Sequence, residues 1–118
     1  MSTGPSTVPV PVTWEAYWGA ARAVGTVAVQ DTDLVLSVQT HVARVFTTRP
    51  QTLRVDLTDL DTVRHQRRLT CDVLELTVCD LEALRGVPGA NGTTLRMDVQ
   101  KRHRDLLRGL LDRLHLWM

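Results

Sequence analysis

The run TVAVQDTDLVLSVQTHVARVF, residues 26–46, decides how the rest of the chain is read. Its first five residues, Thr26–Gln30, are rich in β-branched side chains and follow Gly25, which predicts a strand. Asp31, Thr32 and Asp33 come next, the residue types that cap helix N-termini by accepting from free backbone N–H groups. Leu34, Val38, Val42 and Val45, with Phe46, then recur at helical spacing, and Pro50 stops the segment. The stretch therefore reads as a strand leading into a helix.

Downstream the same grammar repeats. Leu53–Leu57 (LRVDL) alternates apolar and polar side chains, a strand signal, and residues 58–69 are polar and read as a loop. From Thr70 to about Arg85, Leu74, Val78 and Leu81 line one stripe of an expected helix, with Thr70 as N-cap and Asp72 near the positive end of the dipole. The Gly- and Pro-rich run 86–92 is a loop, and Thr94–Val99 is a third strand. Lys101–Leu114 is a third helix, its apolar face made by Leu106, Leu107, Leu110, Leu111 and Leu114, and Leu116-Trp117 is a short closing strand. Upstream, residues 14–23 are interrupted by Gly19 and read as a strand or an irregular segment, while residues 1–12, rich in Pro, Ser and Thr, form a flexible leader. Strands alternating with helices predict an α/β fold over residues 13–118. It would be one domain, a mainly parallel sheet with helices at about 33–47, 70–85 and 101–114.

Composition narrows the functional classes. The formal net charge of the 118 residues is +1, so no global field draws the chain to nucleic acid or an anionic membrane. The basic residues are thirteen Arg against a single Lys, Lys101, a usage that points to a GC-rich bacterial genome. No apolar run approaches the roughly 20 residues that cross a bilayer, and no signal-peptide pattern opens the chain, so a cytoplasmic location is expected. Cys71 and Cys79, if both lay on one helix, would be about 12 Å apart, too far to bridge. They read as free thiols of a reducing compartment. His41, His65, His103 and His115 lack metal-ligand spacing, and no P-loop, GxGxxG, GxSxG or HExxH pattern is present. The only serine after the leader is Ser37. No cofactor, no metal and no catalytic role are expected.

Three phrases in order carry a family likeness: Val27-Ala28-Val29-Gln30-Asp31-Thr32-Asp33-Leu34, Leu53-Arg54-Val55-Asp56-Leu57-Thr58-Asp59-Leu60, and Gly92–Val99 followed by Arg104–Leu114. From about Thr26 to the end they resemble the STAS domain of anti-sigma factor antagonists and sulphate-transporter tails. The resemblance implies a non-catalytic regulatory module that binds a protein partner, an anti-sigma factor or kinase-like regulator. It also implies a phosphoacceptor in a D-S-(S/T/A)-G turn after the central strand. The ungapped position holds Arg64-His65-Gln66-Arg67; with a longer loop Leu69-Thr70-Cys71-Asp72 falls there, and Thr70 becomes the candidate phosphoacceptor. Asp is absent before Thr70 and Gly after it, a departure from the pattern.

The expected partner-binding residues are accordingly Arg64, His65, Arg67, Arg68, Thr70 and Cys71. Two alternatives stand beside this reading. One is a small nucleic-acid-binding regulator using the basic clusters 64–68 and 101–104, since clustered Arg and Lys neutralise phosphates. The other is a scaffold domain without a switch. Lys101–Arg104 is otherwise read as surface charge balanced by Asp98 and Asp105. The tryptophans Trp14, Trp18 and Trp117 lie at the two ends of the chain, suited either to packing the termini together or to anchoring a partner.

Overall fold

A computed structural model describes residues 7–16, 21–42, 46–47, 49–85, 87–90 and 92–115. Trp18, Val45 and the expected closing strand at Leu116-Trp117 lie outside them. The described chain runs β1 (Val10–Ala16), β2 (Ala21–Gln30), β3 (Asp33–Val42), β4 (Phe46–Thr47), β5 (Gln51–Asp56), β6 (Leu60–Arg67), β7 (Cys71–Val78), β8 (Thr94–Gln100) and α1 (Arg104–His115). Short 3-10 turns occupy Leu57–Asp59, Leu81–Leu84 and Lys101–His103.

The mainly parallel α/β expectation is overturned. Every ladder is antiparallel, in the order β4-β3-β2-β1-β8-β7-β6, with β5 also on the outer edge of β3. Two of the three expected helices are strands: 33–47 holds β3 and β4, and 70–85 holds β7 and a 3-10 turn. The expected loop 58–69 is mostly β6, and Val10–Val12 of the expected leader belong to β1. Only the helix at 101–114 is found, preceded by a 3-10 turn. The STAS likeness thus loses two of the helices on which it leaned.

The reason is arithmetical. Positions 34, 38 and 42 fit a helical stripe, but all are even and fit a period of two equally well. Leu36 separates the two readings. It is buried with Leu34, Val38 and Thr40, whereas a helix would turn it about 200° away from Leu34. Likewise Leu74, Leu76 and Val78 are all buried on β7. Asp31 does not cap a helix. It takes a left-handed φ of 54° in the two-residue turn between Gln30 and Asp33, a conformation Asp tolerates.

The sheet is rolled. Six strand spacings of about 4.8 Å would put the edges of a flat sheet of this order about 29 Å apart. Yet β5 on one edge passes to β6 on the other through Leu57–Asp59, which can reach at most about 14 Å. The link is pinned by Leu57 N–H donating to Thr32 O at 2.9 Å and Cys79 N–H donating to Asp59 O at 2.7 Å. Gly25, far from ending an element, lies inside β2, where an added Cβ would run into the Ser37 carbonyl oxygen.

The concave face holds the core: Val10, Val12 and Trp14 of β1, Val27 and Val29 of β2, Leu95, Met97 and Val99 of β8, with α1 laying Leu107, Leu110 and Leu114 across it. α1 packs on β1, β2 and β8, and Arg113 Nη2 donates to Asp31 O at 3.2 Å. Trp14 is buried, and its Nε1 donates to Pro88 O at 2.6 Å. Pro88 and Gly89 so lie against the end of β1.

Candidate functional site

The six residues singled out for partner binding all lie on the β6–β7 hairpin. Its turn is Leu69-Thr70, closed by Arg68 N–H donating to Cys71 O at 3.0 Å. Residues paired across the hairpin share a face, so Val63, His65 and Arg67 project inward with Leu76, Leu74 and Asp72, while Arg64 and Gln66 project outward with Glu75 and Val73. Thr70 is exposed at the tip and caps no helix, because β7 begins at Cys71.

Asp72 is the residue the sequence reading missed. It occupies a core position on β7, in line with Leu74, Leu76 and Val78, and is fully buried. An ionised carboxylate there requires partners. Arg104, the first residue of α1, donates from Nη2 to Oδ1 at 2.8 Å and from Nε to Oδ2 at 3.0 Å. His65 Nε2 lies 3.0 Å from Oδ2. The Arg104 hydrogen bonds hold the Asp72 carboxyl down to about 2 from 3.8; burial opposes them, and the His65 hydrogen bond and the nearby positive charges add to them. Arg104 is raised further in return, chiefly by the same hydrogen bonds. One carboxylate therefore ties β6, β7 and the start of α1 together. Arg104 is engaged chiefly by Asp72, and of the two carboxylates expected to balance this cluster, Asp98 and Asp105, the second adds to the field that favours its charge. A polar residue at an even position of an alternating apolar run was the available signal, hidden while 70–85 read as a helix.

The arrangement also draws together two basic clusters far apart in sequence. Cys71 pairs with Gln100, and Arg68 pairs with Cys71, so Arg68 and Gln100 are two strands, or about 10 Å, apart. Lys101 and Arg102 follow immediately and are exposed. Arg67, Arg68, Lys101 and Arg102 thus crowd one end of the molecule, where the nearest exposed carboxylate in sequence is Asp105. Beside Arg68, in the hairpin turn, stands Leu69, 92% exposed. On the outer face Arg64 reaches Glu75 at 3.7 Å, and Arg64, Gln66, Val73, Glu75 and Arg96 line an open cleft of about 340 Å³ whose wall also includes His65, the strand residue between Arg64 and Gln66.

This chemistry suits contact. Cys71 projects outward and His65 inward, so the two do not form a nucleophile–base pair. Cys71 and Cys79 are both free thiols. They lie at opposite ends of β7, about 26 Å apart at strand rise rather than the helical 12 Å expected, so they remain unbridged for a stronger reason. Among the described residues no group of His, Cys, Asp and Glu is placed to hold a metal ion, and no helix is long and apolar enough to cross a membrane. Compared with protein-family models, curated proteins and solved structures, the chain matches none.

Proposed function

We propose that the chain is a non-catalytic binding module that docks the β6–β7 hairpin tip and the adjoining Lys101–Arg102 corner onto an acidic surface of a protein partner. The observation that carries this is that Arg67, Arg68, Lys101 and Arg102 lie at one end of the sheet, beside an exposed Leu69, in a chain of net charge +1. Complementary charge speeds and orients docking, and a projecting leucine supplies apolar area that binding removes from water. Thr70, beside that leucine, is the place where a phosphate of about −1.5 to −2 charge would cancel the two arginines next to it. The reading suits the cytoplasm, whose reducing conditions keep Cys71 and Cys79 as thiols. The anti-sigma or kinase-like partner is not carried forward, since it came with an arrangement of helices that the fold lacks.

The merging of the two basic clusters also favours a second reading, nucleic-acid binding. Against it, no Phe, Trp or Tyr occurs at this end among the described residues to stack bases. Wild type and Arg67→Glu/Arg68→Glu, immobilised in parallel and exposed to lysate of the native host, separate the two. Protein retained by wild type, lost from the variant and unaffected by nuclease supports the proposal. Retention of nucleic acid alone, or equal retention by both proteins, refutes it.

A further inference from the structure

The outer edge of β6 has no described strand beyond it. In an antiparallel hairpin, residues alternate between pairs that exchange backbone hydrogen bonds and pairs whose N–H and C=O point away. The Arg68–Cys71 bond fixes the phase: Gln66–Val73 and Arg64–Glu75 are bonded pairs, and Val63, His65 and Arg67 turn their N–H and C=O to the open edge. Three donors and three acceptors thus line roughly 14 Å of strand. Residues 64–68 around them are exposed. An unpaired edge of this length is a template for another strand.

We infer that this edge is a docking strand, which adds an extended acidic segment of the partner protein to the sheet; the inference rests on the hairpin being the docking surface proposed above. Side chains of an added strand alternate between the faces of β6, so on the outer face they lie beside Arg64 and Arg68 and on the inner side beside Arg67. Asp or Glu at those positions is attracted. A second copy of this chain is repelled, because pairing β6 with β6 would gather four arginines, Arg64 and Arg67 of each copy, in one ladder. The same charges that guard the edge against its own kind make it selective for an acidic strand. A nucleic acid offers no amide groups at strand spacing.

The probe is a capped eight-residue peptide of alternating Glu and Val, titrated into the full chain at low salt. The expected result is saturable binding, with amide hydrogen exchange of Val63, His65 and Arg67 slowed by about tenfold or more. Arg67→Gln and Arg67→Pro both remove the charge, but only proline also removes the outward N–H, and it leaves the β7 ladder intact because that N–H is not in it. Arg67→Pro should bind the peptide about fivefold more weakly than Arg67→Gln, the value of one hydrogen bond. Absence of peptide binding, unchanged exchange at the three amides, or equal affinity of the two variants overturns the docking strand while leaving the Arg67→Glu/Arg68→Glu capture result standing. A dimer that the peptide dissociates, or displacement of the peptide by a single-stranded oligonucleotide at lower concentration, overturns it in favour of those occupants.

Discussion

Replacing Asp72 by Asn keeps the volume of the side chain and removes its charge. The amide of the Asp72→Asn variant would offer Arg104 and His65 one oxygen and one NH2 group in place of a carboxylate that accepts 2.8–3.0 Å bonds from both. Breaking a buried ion pair from one side costs about 3–5 kcal/mol. The Arg104 and His65 side chains are 30% and 25% exposed and regain some water, so a loss of about 2–3 kcal/mol is expected near neutral pH. The charge-dependent share follows from the carboxyl itself. Its ordinary value of 3.8 and folded value of about 2 differ by about 1.8 pH units, equivalent to about 2 kcal/mol. The folded value is the lower one. The stabilisation is therefore complete above 3.8 and is lost as the pH falls through 2. Urea denaturation of wild type and Asp72→Asn between pH 7 and about pH 2.5 should show their stability gap narrowing by about 1.5 kcal/mol, all other carboxylates cancelling in the difference. A gap that stays constant over that range would refute the claim that an ionised Asp72 holds the hairpin to the helix.

Three further outcomes follow from the same structure. Gly25→Ala places a Cβ against the Ser37 carbonyl, where only backbone can give way, and should lower stability by about 1–3 kcal/mol in denaturant titration. Leu110→Ala empties a fully buried site between helix and sheet and should cost about 2–5 kcal/mol, with a matching fall in Tm. Thr70→Glu adds a negative charge at an exposed turn. It should leave stability within about 0.5 kcal/mol of wild type while weakening capture of the acidic partner, and unchanged capture would remove Thr70 from any regulatory role.

The six residues singled out in the sequence fall on one hairpin, but the helices expected around them are mostly strands. Leu53–Asp56, Thr94–Val99 and the leucine face of α1 were legible because each shows one periodicity only. β3 and β7 were not, because apolar residues four apart satisfy both periods and local capping residues tipped the choice towards helix. β6 was illegible for another reason. Leu60–Arg67 carries a single buried side chain, Leu60, and its strand conformation comes from pairing with β7 rather than from its own pattern. Arg64, Arg67, Arg68 and Lys101–Arg104 stood out as charge, but nothing local revealed that β8 brings the two clusters together. The division of labour at Arg104 depended on a buried partner 32 residues away.

The place of β1 in the middle of the sheet bears on how the chain assembles. β1 pairs on one side with its immediate successor β2, and on the other with β8, Thr13 opposite Asp98. As the polypeptide leaves the ribosome, β1 to β3 can zip as successive hairpins, but the second side of β1 must wait for nearly the whole chain. During that interval Val10, Val12 and Trp14 have neither β8 nor α1 to cover them. The slow, sticky step of folding is therefore the joining of β1 to β8. Trimming the chain to residue 13, which a leader at 1–12 would have made harmless, would cut Val10 and Val12 out of that seam and leave its two halves poorly joined.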